Sequence, residues 1–318
     1  MSLYVKPELT FLQFETATTC NAACVFCNHQ SMKRKGVMPT HRIIELLYNY
    51  AHKVGDICPF GMQEPLLEPR LAMILANIKQ LNPNCKTTLY SNLGVFPEKA
   101  LTDIIKWGLL DKIEVSFYGT NKETYAYMQP PLDYETTKSN IRKLMNLKKQ
   151  LCRTKPEVEL MMLKTSFTLD GLKEYVDEWS PIVDKVAGVH YDSWCGTHPY
   201  NPELEKELWN DPGQTERVPC PRLWGSMYVH FDGTVVPCCL DSGELEPCGN
   251  IFDDKESWFN NPRLNELRLL HQTRQFDKIP LCKDCVTWRY GCDKEWNDFW
   301  MNKPLTASSA KKICIPSI

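Results

Sequence analysis

The sequence carries no excess of charge: 37 basic and 39 acidic residues leave a net charge of −2 over 318 residues. That excludes the electropositive footprint of a nucleic-acid binder and a polybasic membrane patch. No run of about 18 apolar residues occurs, so no segment is suited to span a bilayer. The start, MSLYVKPELTFLQFE, lacks the basic stretch and apolar core of a secretory signal. No internal repeat or low-complexity tract interrupts the chain. A cytoplasmic enzyme or binding protein fits these absences. The 43% apolar share is ordinary and sufficient for a buried core.

Cysteine is too sparse for a disulfide scaffold. There are 15 in 318 residues, whereas such scaffolds exceed about 8–10% in a short chain. The odd number also argues against a fully paired extracellular framework. The thiols are clustered, however. Cys20, Cys24 and Cys27 fall within eight residues, and Cys220, Cys238, Cys239, Cys248, Cys282, Cys285, Cys292 and Cys314 form a second set. Clustered thiols in a cytosolic chain point to metal or redox chemistry. Cys58, Cys85 and Cys152 read as thiols buried like small hydrophobes.

From residue 10 to about 192, short apolar runs alternate with amphipathic ones. FLQFET, DICPFG, KTTLYSN, KIEVSFYG, EVELMML and AGVHYD read as strands. Between them THRIIELLYNYAHKV, PRLAMILANIKQL, PEKALTDIIKWG, YETTKSNIRKLMNLKKQL and LDGLKEYVDEW read as helices, the first capped by Thr40. Six such steps predict an α/β fold with parallel strands and right-handed crossovers, an open or closed barrel. Function then collects at the C-terminal ends of the strands. Past residue 195 the chain turns polar and proline-rich, and a boundary is expected near residue 200. SMYVHFDGTVVPCC reads as a hairpin turning at Asp232-Gly233, and NNPRLNELRLLHQTRQ as a helix.

The first three thiols lie on the loop after the first strand, spaced to wrap round one inorganic centre. Structural zinc takes four ligands, and the only nearby fourth is His29. An iron–sulfur cube takes four thiolates. Three leave one iron open, a position for binding a ligand and doing chemistry.

CxxxCxxC with Phe26 just before the last cysteine, after the first strand of a βα series, resembles the radical S-adenosylmethionine (SAM) superfamily. The resemblance implies a partial (β/α)6 TIM-like barrel over residues 1–200. It implies a [4Fe–4S] cluster held by Cys20, Cys24 and Cys27, its open iron chelated by the amino and carboxylate groups of SAM. Reductive cleavage then releases a 5′-deoxyadenosyl radical that abstracts hydrogen from a substrate. Phe26 is expected near the adenine, and Glu64 of GMQEPLL at the methionine ammonium. Ser91, Asn92 and Ser116, at the ends of the third and fourth strands, are expected to contact methionine or ribose. Without the resemblance, Phe26 reads as filler and those three as ordinary strand-end caps. Gln63 departs from the family, which has glycine there, so the backbone is expected to approach less closely.

CPRLWGSMYVHFDGTVVPCC, GNIF and IPLCKDC resemble the SPASM or twitch extension of radical enzymes, expected over residues 201–318. The spacing of Cys220, Cys238, Cys282 and Cys285 is similar to the single-cluster twitch form and implies one auxiliary [4Fe–4S] cluster. Cys239, Cys248, Cys292 and Cys314 remain for a second. A zinc ribbon built from Cys238, Cys239, Cys282 and Cys285 is the rival reading of the tail.

An auxiliary cluster can accept an electron from a substrate radical, giving net oxidation. A base must take the proton, and Lys164, His190 and Asp192 stand at strand ends. Cys195 would instead donate a hydrogen atom in an epimerisation. The expected reaction is dehydrogenation of a small polar molecule, such as a sugar or aminocyclitol, with ferredoxin or flavodoxin as electron donor. Maturation or epimerisation of a ribosomally made peptide is the alternative. Only 19 residues precede Cys20, so the recognition domain of many peptide enzymes is not expected ahead of the cluster. A non-catalytic iron–sulfur electron carrier is the third reading.

Overall fold

The computed structural model describes residues 6–189, 194–196, 216–253 and 258–289. Strands β1 (Phe11–Phe14), β2 (Asp56–Cys58), β3 (Lys86–Ser91), β4 (Lys112–Ser116), β5 (Glu157–Leu163) and β6 (Lys185–Val189) lie side by side in chain order, all parallel. The sheet does not close: β6 is one edge, and the other side continues past β1. This is the open sheet of a partial (β/α)6 barrel.

Helices cover one face because their apolar residues recur at spacings of three and four. Ile43, Leu46, Leu47 and Tyr50 are buried in Thr40–Tyr50, and Leu71, Ile74, Leu75 and Ile78 in Leu71–Leu81. Leu101, Ile104 and Ile105 are buried in Glu98–Lys106, and Ile141 and Leu144 in Tyr134–Gln150. Each such side chain contributes about 1.5–3 kcal/mol when fully buried. The strands divide their residues by alternation. In β1, Leu12 and Phe14 join this core, while Phe11 and Gln13, with Glu15 beyond, face a cavity on the opposite side.

Three local expectations differ from the structure. Thr40 is the first helical residue rather than the cap; Pro39 holds the cap position, and the Thr40 hydroxyl accepts from Arg70 Nη1 at 3.1 Å. Cys58 and Cys85 are buried, but Cys152 is exposed. An additional helix, Lys122–Met128, starts at an Asn121–Thr124 capping box. At seven residues it is too short for its periodicity to stand out.

The hairpin turns where expected. Gly233 adopts φ +91°, and the Thr234 amide donates to Asp232 Oδ1 at 2.9 Å. Its strands are β7 (Ser226–Val229) and β8 (Val235–Val236), antiparallel. β7 also pairs in parallel with β1, from Phe11 opposite Ser226 to Phe14 opposite Val229. The hairpin thus extends the barrel sheet to eight strands, which residue patterning within either segment does not reveal. Among the described residues, no helix is long and apolar enough to cross a membrane.

Candidate active site

A cavity of about 370 Å3 opens at the C-terminal ends of the strands, within the range of small-molecule sites. Cys20, Cys24, Phe26 and Cys27 form one wall; Glu64, Ser91, Asn92 and Ser116 line it too. The cysteine loop is pinned from three sides. Ala23 N donates to Pro130 O at 2.6 Å and Val25 N to Met128 O at 3.2 Å. Asn92 Nδ2 reaches Asn21 Oδ1 at 2.8 Å. Gln63 turns its side chain to the loop, its Oε1 accepting from Thr16 N at 3.0 Å and Ala17 N at 2.9 Å. The residue that departs from the family is therefore a brace for the segment entering the cysteine loop.

Gln129 was not singled out from sequence. Fully buried, it accepts from Tyr118 N at 2.8 Å, donates to Ser116 O at 3.0 Å, and hydrogen-bonds the Cys24 thiol. Gln129→Leu strands two backbone groups. It is expected to cost about 1–3 kcal/mol, read as a lower urea midpoint with an unchanged m-value.

Burial pushes the Cys24 thiol up, as do its neighbours Cys27 and Cys20. Burial likewise raises Cys27 to about 11, although the His29 amide hydrogen bond to its sulfur opposes this. Such thiols ionise through coordination to a metal centre. His29 is not placed to be a fourth ligand: Nε2 lies 2.7 Å from Thr18 O and Nδ1 3.4 Å from Gln30 Nε2. Three thiols with no fourth protein ligand among the described residues suit a cube that keeps one iron open.

Glu64 is buried, and burial raises its carboxyl to about 7. Hydrogen bonds from Ser91 Oγ (2.7 Å), Asn92 N (2.7 Å) and Leu66 N (3.0 Å) oppose that rise. Ser91 and the Asn92 backbone thus address Glu64, while the Asn92 side chain addresses the cysteine loop. Phe26 stacks edge-on against Tyr118 at 5.0 Å, and Trp194 Nε1 donates to its carbonyl at 2.8 Å.

The opposite wall comes from β1 and the hairpin. Arg34 pairs with both oxygens of buried Glu15, Nη2 to Oε1 at 2.8 Å. His230, just after β7, lines the cavity with its Nδ1 2.9 Å from Glu244 Oε1. That carboxylate assigns the ring proton to Nδ1 and leaves Nε2 as the acceptor. Cys239 lines the same cavity.

A second cavity, about 40 Å3, lies behind this wall, and Cys220, Cys238, Cys282 and Cys285 all line it. Cys195 lines it too, so it stands with the tail thiols and not in the large cavity. Among the described residues no acidic side chain lines the small cavity, whereas Arg217 and Arg222 do. Cys248 is buried and donates to Glu246 O at 3.4 Å; Cys292 and Cys314 lie outside the described residues.

The radical SAM superfamily matches residues 14–154, and the iron–sulfur cluster-binding SPASM domain matches residues 220–286. The chain belongs to the radical SAM superfamily and carries a SPASM domain. Its cofactors are therefore SAM and [4Fe–4S] clusters, one that binds SAM and at least one auxiliary. No curated protein matches the sequence. Solved structures share the fold. BtrN in complex with AdoMet and 2-DOIA is 17% identical, with a TM-score of 0.58 over 88% of this chain and 94% of that one. Streptococcus suis SuiB bound to precursor peptide SuiA is 13% identical, with a TM-score of 0.63 over 90% and 72%. anSMEcpe with bound AdoMet and Kp18Cys peptide is 16% identical, with a TM-score of 0.60 over 91% of each.

Among the base candidates at the radical SAM strand ends, Lys164 does not line the large cavity. Its Cε lies where a Cβ on Gly188 of β6 would stand. His190 and Asp192 fall outside the described residues. The sequence signal for His230 was only its place after a hairpin strand. Glu244, its partner, lies 14 residues further on.

Proposed function

We propose that this radical SAM enzyme oxidises a small polar molecule by net loss of two hydrogens. One leaves as an atom; the other leaves as a proton and an electron, and the electron passes to an auxiliary cluster. The adjacency of the two cavities carries this reading: Cys239 lines the large one and Cys238, its neighbour in sequence, the small one. The place of hydrogen abstraction and the thiols of an electron acceptor share one wall.

Cys20, Cys24 and Cys27 hold the SAM cluster, and Glu64 receives the methionine amino group of SAM. Phe26 packs at the adenine, and Asn92 and Ser116 border the rest of the cofactor. Bound there, SAM and its cluster supply a 5′-deoxyadenosyl radical as the hydrogen acceptor. His230 is the proton acceptor. Its Glu244 partner orients the ring, stabilises the imidazolium formed, and keeps Nε2 directed to accept. Cys220, Cys238, Cys282 and Cys285 hold the auxiliary cluster. Reduced ferredoxin or flavodoxin supplies the initiating electron.

The test is anaerobic incubation of reconstituted protein with dithionite, SAM and a panel of sugars and aminocyclitols, alongside short peptides. The expected result is 5′-deoxyadenosine together with a small-molecule product lighter by two hydrogens. A peptide product alone would overturn the substrate class. Absence of 5′-deoxyadenosine would favour an electron carrier.

A further inference from the structure

The small cavity is lopsided in charge. Two guanidiniums and five thiols line it, and among the described residues no carboxylate does. Arg222 is buried, and Nη1 donates to Cys238 Sγ at 3.4 Å. Among the described residues it makes no ion pair with a carboxylate; its electrostatic neighbours are Cys239, Cys238, Tyr228 and Cys220. Arg217 lies over the Phe276 ring, 4.3 Å from ring centre to guanidinium carbon, and its buried Nε has no hydrogen-bond partner among the described residues. Burying an uncompensated cation is costly. Arg222, buried, and Arg217, half-buried with its Nε unpartnered, line one cavity and point to an anion there.

Neutral donors complete the shell. Cys220 N donates to His271 Nδ1 at 3.1 Å, which places the ring proton on Nε2, 3.4 Å from Cys282 Sγ. Leu240 N donates to Cys238 Sγ at 3.5 Å. Burial raises the Cys220 and Cys282 thiols; Arg222 and Arg217 pull Cys220 back, and Arg217 pulls Cys282 back.

A [4Fe–4S] core with charge two plus, held by four thiolates, carries two negative charges, which the two arginines neutralise. Reduction adds a third. In a buried site that step is opposed by desolvation, which lowers the potential; cations and N–H···S bonds raise it. We propose that Arg217 and Arg222, helped by the His271 N–H, raise the potential of the auxiliary cluster and so make it an electron acceptor. They are positioning residues: Arg222 touches the Cys238 thiol and Arg217 lines the same cavity, and neither lines the large cavity. This inference rests on the auxiliary-site reading given above.

The test needs no substrate. In full-length protein carrying Cys20→Ala, Cys24→Ala and Cys27→Ala, the tail cluster at Cys220, Cys238, Cys282 and Cys285 is read on reduction without the signal of the SAM-binding cluster. EPR-monitored titration then reads its midpoint. Arg222→Gln is expected to lower it by at least about 59 mV, a tenfold weaker electron affinity, whereas Arg222→Lys, which keeps the charge, recovers most of the shift. Arg217→Gln lowers it in the same direction and serves if Arg222→Gln does not fold. Equal midpoints for Gln and Lys, or a shift well short of tenfold in both arginine variants, would overturn the inference while leaving the auxiliary site intact. A triple variant that binds no iron and sulfide would overturn the auxiliary site itself, and the inference with it.

Discussion

Cys24→Ala is expected to reduce 5′-deoxyadenosine formation to the level seen with dithionite and SAM alone. It also removes about four irons per chain, one cube, and leaves at least about four in the tail. The loss is complete because no other donor takes the place of this thiol. Both ring nitrogens of His29 are engaged, Nε2 with the Thr18 carbonyl at 2.7 Å. Cys24 sits on a loop tied to the end of the Lys122–Met128 helix through the Ala23 and Val25 amides, so the backbone cannot bring another thiol round. Cys152→Ala, at an exposed position, is the matched control and leaves iron content and SAM cleavage unchanged. Normal SAM turnover by Cys24→Ala protein would end the assignment of this loop as the cluster site.

The second large effect is on SAM affinity, and it depends on pH. Burial holds Glu64 at about 7, against an ordinary value of 4.5. The folded, empty protein therefore binds a proton there between about pH 4.5 and 7 that the unfolded chain has released. Its contribution to the stability of the empty protein is favourable below that window and is lost as pH rises through 7. A positively polarised amino group beside the carboxylate reverses the balance. SAM should raise the melting temperature more at pH 8 than at pH 6, and its Kd should increase about tenfold per pH unit below 7. Glu64→Gln abolishes that slope and weakens SAM binding by roughly 30-fold or more, equivalent to about 2 kcal/mol for losing one partner of a buried charged contact. Calorimetric titration of the reconstituted protein at several pH values measures both. A slope that survives in Glu64→Gln would assign it to another group.

What could be read from sequence divides by range. β1 to β6 and their long helices were legible because each element writes its own periodicity. The cysteine loop was legible because its three thiols are near neighbours. Glu64, Ser91, Asn92 and Ser116 stand out by their order along the strands and all line the large cavity, but the hydrogen bonds of Ser91 and Asn92 to Glu64 are not legible in sequence. The remainder is non-local. The pairing of Phe11 with Ser226 joins segments 215 residues apart, and nothing in FLQF or SMYV names the other. His230 gains its role from Glu244, 14 residues on, and Arg34 from Glu15, 19 residues back, in each case across a turn of the chain that no local periodicity marks. Gln129 was invisible because its carboxamide serves two backbone groups and a thiol that meet only in the folded chain. Lys164 lies outside the lining of the large cavity because a strand end fixes the height of a residue in the barrel, not the direction of its side chain.

The seam between β1 and β7 bears on how such enzymes diversify. β1 carries the stem of the cysteine loop on one end and hydrogen-bonds β2 and β7 on its two flanks. A tail borrowed from another family member must therefore bring a strand that matches this edge, or the barrel wall is left open beside the cysteines. A join beyond β8 keeps this edge intact, and chimaeras joined there should retain the iron held by Cys20, Cys24 and Cys27 where those joined before β7 lose it.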